Sequence, residues 1–373
     1  MKIISYQYSE HLYSYNSLSF KRLNLFVGAS GSGKTRLLNT IFNLASHIIQ
    51  GTCGTSGRWD VLFEHAGKKY RFIFSNLCDV DHPTGFISEE SLELIDGSTI
   101  EKIFFRDEIS TVFKGAVMPK VTKISSVISV FREDPVMSSI IAGFRSIARR
   151  SFHGDELLKA PILGELPVEL IQHYKKLNKI DWDFFTLPLN LSLLLLERCF
   201  KNKFDEIVSR YIGIFPNVKS ISSKKAKDIP ENLNVGFDSL VMAIKENNVE
   251  HWIPLKNVSS GMLKVLLILT DILCLPSDSI YMIDEYENSL GVNAIDFLPD
   301  LLLENLERTQ FFVTSHHPYL INNIPLKDWF VFGRHGGNVT VKYGSELKER
   351  YGLSKQEVFT QLINDPFYLE GRP

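Results

Sequence analysis

The run Gly28-Ala29-Ser30-Gly31-Ser32-Gly33-Lys34-Thr35 fills the pattern G-x-x-x-x-G-K-[ST], and its residue types suit the binding of a phosphate chain. Gly28, Gly31 and Gly33 let the backbone curl until its N–H groups point inward at anionic oxygens. A helix starting near Lys34 would aim its positive end at the same place. The Lys34 ammonium would reach the β- and γ-phosphates, and the Thr35 hydroxyl would hold Mg²⁺. Ser30, Ser32 and Arg36 are counted with the same site. The plainer reading is a glycine-rich turn that binds nothing. The strand pattern before the loop and the helix pattern after it favour a nucleotide, with ATP and Mg²⁺ as the expected cofactors.

A second set lies far along the chain. Ser279-Ile280-Tyr281-Met282-Ile283-Asp284-Glu285 is an apolar strand that ends in two carboxylates. Strands buried on both faces suit a parallel sheet, whose carboxyl ends are where ligands bind. Asp284 would hold Mg²⁺, directly or through water, and Glu285 would orient and polarise an attacking water. Alone, such a pair is also what any strand meeting solvent can show. Beside the glycine loop it reads as hydrolytic machinery.

The elements that must position these residues can be read from periodicity. Residues 3–8 and 23–27 read as strands, the second running into the glycine loop. Residues 34–50 read as a helix with Leu37, Leu38, Ile41, Leu44, Ala45 and Ile48 on one face. Two hairpins follow, 59–64 with 69–74 and 91–95 with 99–105. From 133 to about 210 the pattern turns helical, broken by Pro135, Pro161, Pro167 and Pro188. Residues 218–221 and 235–244 read as strands. Then come a helix over 261–275, a buried strand over 279–283, a helix over 292–307 with a kink at Pro299, and a buried strand over 310–314. A closing hairpin pairs 329–332 with 338–343 around Gly336-Gly337. The expected fold is α/β: a P-loop NTPase with a mixed sheet and an inserted helical subdomain. Its parts would be 1–132 (P-loop and antiparallel strands), 133–215 (helical insertion) and 216–373 (the C-terminal part of the ATPase domain).

Val258-Ser259-Ser260-Gly261-Met262-Leu263-Lys264 resembles the signature motif of ABC-type ATPases in a Ser-Ser-Gly variant. Glu287-Asn288-Ser289-Leu290-Gly291 stands where that family has its D-loop, and Thr314-Ser315-His316-His317-Pro318 resembles its switch-histidine loop. Taken singly, Ser259-Ser260-Gly261 could simply cap a helix and His316 could have no role. Their order relative to the glycine loop points the other way. The likeness is nearest to SMC- and RecF-like ATPases outside membranes, including AAA family ATPase subunits of bacterial anti-phage systems. It implies that Ser259, Ser260 and Gly261 bind the nucleotide held by a second copy, that His316 contacts the γ-phosphate in cis, and that the protein forms a homodimer or higher homo-oligomer. The family's Q-loop glutamine is missing, since no glutamine occurs between Gln50 and Gln172; residues 125–131 are the candidate replacement.

Composition sets the limits. The 373 residues are 44% hydrophobic and 23% charged, as in a globular protein with an ordinary core. With 41 basic and 43 acidic residues the net charge is −2, so no global field draws the chain to nucleic acid. The basic clusters Arg149-Arg150 and Lys224-Lys225-Ala226-Lys227 read as solvated loops or helix faces. Four cysteines without metal-ligand spacing fit a reducing cytoplasm. The start lacks a signal-peptide core and no apolar run is long enough to span a bilayer, so no membrane partner is expected. Three functions remain open. One is an ATP-driven sensor or regulatory subunit in bacterial defence, acting with a separate nuclease-like effector. The second is a RecF-type repair or maintenance ATPase with a local nucleic-acid groove. The third is a transporter's ATPase subunit, which the missing glutamine and the signature variant disfavour.

Overall fold

A computed structural model of the chain describes residues 1–51, 54–78, 85–119, 121–151, 168–231, 233, 236, 238–285, 295–347 and 355–370. Its strands, in chain order, are β1 (Lys2–Ser9), β2 (Ser14–Ser19), β3 (Leu23–Gly28), β4 (Gly57–His65), β5 (Lys68–Leu77), β6 (Phe86–Asp96), β7 (Thr99–Arg106), β8 (Thr111–Phe113), β9 (Ala116–Val117), β10 (Ile147–Ser151), β11 (Val218–Lys225), β12 (Leu240–Glu246), β13 (Ile253–Pro254), β14 (Ser279–Asp284), β15 (Thr309–Thr314), β16 (Trp329–His335) and β17 (Asn338–Tyr343). The helices used below are α1 (Lys34–Gln50), α2 (Val127–Val130), α3 (Pro135–Arg145), α4 (Val168–Leu177), α5 (Leu189–Cys199), α6 (Lys201–Ile214) and α7 (Ser260–Cys274).

The chain forms two compact units. The first comprises Met1–Arg150, Asp278–Glu285 and Leu306–Pro373, and the second Ser151–Ser277 and Tyr286–Asn305. The span expected as a helical insertion, 133–215, falls across both: α3 belongs to the first unit, and α4, α5 and α6 to the second.

The first unit is built on one mixed sheet of fourteen strands in the order β10-β14-β15-β3-β16-β17-β2-β1-β4-β5-β6-β7-β8-β9. Strands β14, β15, β3 and β16 are mutually parallel, whereas β1 and β4 to β9 form an antiparallel meander. The difference follows the sequence. All six residues of β3, β14 and β15 are buried, as a sheet covered on both faces requires. Strand β5 alternates buried and accessible residues along Tyr70, Phe72 and Phe74. Helix α1 packs its expected face, including Leu37, Leu38, Ile41, Leu44 and Ile48, into a core shared with Phe26, Met282, Phe312 and Phe330. Two buried amides close backbone gaps that water cannot reach. Asn24 Nδ2 donates to the carbonyls of Lys21 and Phe311, and Gln310 Nε2 to those of Ile3 and Lys21.

The second unit holds α4 to α7 and the antiparallel sheet β11-β12-β13. Helix α7 is buried from Leu263 to Cys274, which explains why its sequence is apolar on every face apart from Lys264, Thr270 and Asp271.

Three expectations need correction. Residues 147–151 are strand β10, not helix, and the strand's two arginines hide it from a hydrophobic pattern. Pro299 does not kink a helix: a turn at Asp296–Phe297 precedes it, and it sits in the first turn of Leu298–Glu304, where its missing N–H costs nothing. Strand β12 begins at Leu240; the earlier start at 235 lies outside the described residues.

Candidate functional site

Strand register sets the site. Ile283 of β14 pairs with Val313 of β15, and Thr314 pairs with Phe26 of β3. Three parallel strands therefore end at one level, so Asp284, Thr314 and the glycine loop after Val27 meet at the sheet's carboxyl edge. The loop needs glycine at two places for different reasons. Gly33 has φ +102° and sits against the Tyr15 hydroxyl, while a side chain on Gly28 would strike the Phe332 carbonyl oxygen. Tyr15 Oη donates to the Gly33 carbonyl oxygen at 2.9 Å, fixing the entry to α1.

The buried Lys34 is folded along its own loop. Its Nζ donates to the carbonyl oxygens of Gly28 (2.8 Å) and Ala29 (2.9 Å) and reaches Ser32 Oγ at 3.4 Å. One residue on, the Thr35 hydroxyl donates to Asp284 Oδ1 at 2.9 Å, across 249 residues of sequence. The Thr314 hydroxyl donates to the same oxygen at 2.8 Å and accepts from the Glu285 N–H at 2.7 Å. Asp284 Oδ2 faces Arg149 Nη2 at 3.3 Å. Glu285 itself has φ +48°, a left-handed conformation that a residue with a Cβ adopts at a cost. That turn directs the N–H to Thr314 and leaves the carboxylate on the wall of a cavity.

The cavity is open, about 370 Å³ in volume, and walled by the glycine loop, Lys34, Thr35, Arg36, Glu285, Thr314 and His316. Its size is that of a small-molecule site. His316 is presented by a tight turn in which the His317 N–H donates to Ser315 Oγ at 3.0 Å and His317 Nδ1 caps the following helix, Pro318–Asn323. Tyr13 forms the rim. The Arg36 guanidinium lies 3.7 Å from its ring centroid and that of Arg334 lies 4.5 Å away. Arg36 also pairs with Glu10, and Arg334 Nη1 donates to the Gly31 carbonyl oxygen at 3.2 Å.

These residues fit a divalent cation bound together with phosphates. Among the described residues no cluster of three or more His, Cys, Asp or Glu side chains could hold a metal alone. One carboxylate and one hydroxyl in contact, Asp284 and Thr35, are the partial ligand set that Mg²⁺ uses when waters and substrate phosphates complete its shell.

The structure thus brings Gly28, Ser30, Gly31, Ser32, Gly33, Lys34, Thr35, Arg36, Asp284, Glu285 and His316 to one end of one sheet. Ser259, Ser260 and Gly261 lie in the second unit. There Ser259 is the N-cap of α7, with its Oγ accepting from the Met262 N–H at 3.3 Å, which is the capping role the sequence also allowed. The D-loop candidate 287–291 lies outside the described residues.

Residues 125–131 do not replace the glutamine. Ser126 N–H donates to Gly51 O at the far end of α1, and 17 residues of helix at 1.5 Å each put that point about 25 Å from the phosphate loop. Arg149, read from sequence as solvated, is instead on β10 with its guanidinium on Asp284. Thr314 was also unassigned; a hydroxyl ending a buried strand beside the acidic pair was the available signal.

Residues 23–322 match the family described as AAA domain, putative AbiEii toxin, Type IV TA system. No curated protein matches the sequence. Among solved structures, an SMC head bound to the C-winged helix domain of ScpA aligns over 92% of this chain and 98% of its own, with 14% identity and a TM-score of 0.55. The SMC head domains of Thermotoga maritima (13% identity, covering 92% and 99%, TM-score 0.45) and Pyrococcus furiosus (13%, covering 94% and 98%, TM-score 0.48) also align. The first likeness establishes the fold, that of an SMC-head-type P-loop NTPase. Among the described residues no helix is long and apolar enough to cross a membrane.

Proposed function

The chain belongs to the family of AAA domains described as putative AbiEii toxin, Type IV TA system, and from that premise we propose that it binds and hydrolyses ATP with Mg²⁺ as an ABC-type ATPase. One observation carries the reading: Thr35 and Thr314, whose hydroxyls both donate to the buried Asp284, line the same cavity as Lys34, Glu285 and His316. Bound Mg²⁺ would neutralise phosphate charge. Thr35 and Asp284 would hold it, and Lys34 would leave its loop carbonyls for the phosphate oxygens. Glu285 would take the proton of the attacking water, and His316 would orient the terminal phosphate. The loop's N–H groups and the start of α1 would favour the negative charge throughout.

Ser259, Ser260 and Gly261 stand at the start of α7, whose N-terminal N–H groups would suit an anion brought from elsewhere. We take that anion to be the triphosphate of another copy, so that ATP joins two subunits. The SMC-head fold supports this arrangement. The family's description, which names a toxin of a type IV toxin–antitoxin system, supports a place in bacterial defence, in which the ATPase regulates a separate effector such as a nuclease in the cytoplasm. The repair reading has less support. In the basic run 224–227, Lys225 and Lys227 both pair with Asp238 and Lys224 lies over the Trp252 ring, so each of these lysines already has a partner within the chain.

The test uses the purified chain. Phosphate release from ATP should require Mg²⁺. Light scattering should find a dimer with ATP, and Ser259→Arg should remain monomeric while binding ATP with unchanged affinity. Phosphate release without dependence on Mg²⁺ would remove the metal role, and an ATP-induced dimer of the Ser259→Arg variant would remove the trans contact.

A further inference from the structure

The arginine on Asp284 has no part in the chemistry above, and its placement is specific. Strand β10 lies at the edge of the sheet beside β14. Ser146 O accepts from the Ile280 N–H, and three residues later Arg149 reaches the carboxylate at the end of β14. The Arg149 side chain is 17% exposed and that of Asp284 is 2% exposed. A carboxylate so far from water needs a counter-charge. The hydroxyls of Thr35 and Thr314 supply hydrogen bonds to Oδ1 without charge, so Arg149, on Oδ2, is the cation that balances it. Its fork is only partly used: the buried Arg149 Nε meets no acceptor among the described residues.

We propose that Arg149 is a displaceable internal cation for the metal site, a positioning residue that holds the Asp284 carboxylate in place until Mg²⁺ arrives with the nucleotide. The inference rests on the reading that Asp284 and Thr35 hold Mg²⁺. A guanidinium and a divalent cation on one carboxylate repel each other at a few ångströms. Metal alone therefore gains little at this site. Metal bound to a triphosphate brings its own negative charge, and the freed guanidinium has phosphate oxygens as new partners for its unused donors. The site would thus select the metal–nucleotide complex over the bare ion.

The experiment measures metal binding without turnover. Melting curves and calorimetric titrations would be run on the wild type, Arg149→Met, Arg149→Lys and the pair Arg149→Met with Asp284→Asn, each in chelator, in Mg²⁺ alone, and in Mg²⁺ with a non-hydrolysable ATP analogue. Wild type should respond to Mg²⁺ with the analogue and not to Mg²⁺ alone. Arg149→Met should melt lower in chelator, recover in Mg²⁺ alone, and bind the bare ion at least about tenfold more tightly than wild type. Arg149→Lys, which keeps the charge, should behave as wild type does toward the bare ion. The paired variant should recover in chelator, because both buried charges are gone. Equal responses of wild type and Arg149→Met to Mg²⁺ alone, with the analogue still bound in a Mg²⁺-dependent way, would overturn this proposal and leave the ATPase reading standing. Analogue binding that ignores Mg²⁺ in every variant would overturn both.

Discussion

Helix α1 has a buried carboxylate at each end, and the two are treated differently. At its start, Asp284 is held by two hydroxyls and a guanidinium, all on side chains that can turn away. At its finish, Glu90 is fully buried and accepts from the Ser126 hydroxyl and from the Val127 backbone N–H at 2.8 Å. Ser126 in turn caps α2 through the Ile128 N–H. Nearby Arg106 donates to the Ser125 carbonyl oxygen at 2.7 Å and adds its charge to the same pocket. Backbone donors cannot leave without unfolding the turn. A carboxylate held by backbone is a structural joint, whereas one held by movable side chains behind a cavity wall can exchange them for a ligand. The comparison separates function from architecture where burial and charge alone do not.

The sharpest way to break it is at the residue next to Asp284. Glu285→Gln should keep ATP affinity within about twofold and slow phosphate release by about 100- to 10,000-fold, the span expected for loss of a general base. Release at the wild-type rate, followed in a single-turnover assay, would mean that the start of α1 holds no catalytic base. Asp284→Asn is the next largest. It should weaken Mg²⁺-dependent ATP binding by about 10- to 100-fold, the loss expected for a charged contact. Fluorescent-nucleotide titration reads the change, and an unchanged affinity would put Asp284 in the same class as Glu90.

Thr314→Val sharpens the comparison within the site. It deletes one donor to Asp284 and the acceptor of the Glu285 N–H together. Stability should fall by about 1–3 kcal/mol, as for buried polar groups left unpaired. Because Glu285 loses the contact that holds its left-handed turn, phosphate release should also slow, by several fold. Chemical denaturation and steady-state turnover on the same preparation separate the two effects. A loss of stability with turnover intact would show that Glu285 is positioned by something other than Thr314.

Sequence exposed one end of this helix better than the other, for a physical reason. Phosphate chemistry needs glycine at φ +80° and +102°, a lysine and a hydroxyl in fixed succession, so Gly31, Gly33, Lys34 and Thr35 stand in a pattern that chance seldom makes. The all-buried strands β14 and β15 were legible as apolar runs. Strand β2, S-Y-N-S-L-S, was not, because only Tyr15 and Leu18 are buried. Strand β10 was hidden because Arg149 points at a partner 135 residues away, and a charge that is satisfied only in three dimensions looks solvated in one. The same holds for Glu90 and Arg106, which no local pattern marks as buried. Residues 125–131 looked like a loop that could serve the nucleotide. Only the length and direction of α1 assign them to the opposite end.

The smallest effect tests the structural end. Burial raises the Glu90 carboxyl above its ordinary value of 4.5, against the opposing pull of the Ser126 and Val127 donors and the Arg106 charge. The folded protein therefore holds the Glu90 proton more tightly than the unfolded chain does. The stability this gives is fully present below the unfolded value and is lost as pH rises through the folded one. Glu90→Gln removes the titration and mimics the protonated acid, since its amide oxygen can accept from the Val127 N–H while its NH₂ faces Ser126, so at low pH its stability should lie within about 1 kcal/mol of wild type. The variant should then gain on wild type as pH rises from 4 toward neutrality. ATP affinity should stay within about twofold at every pH, since α1 separates Glu90 from the phosphate loop by about 25 Å. Denaturation midpoints across that pH range measure the first expectation and nucleotide titration the second. A wild type that gains on the variant as pH rises would mean that the charged form is the one the fold prefers. A fall in ATP affinity that follows the loss of stability would mean that the two ends of α1 are coupled through the helix rather than built for separate tasks.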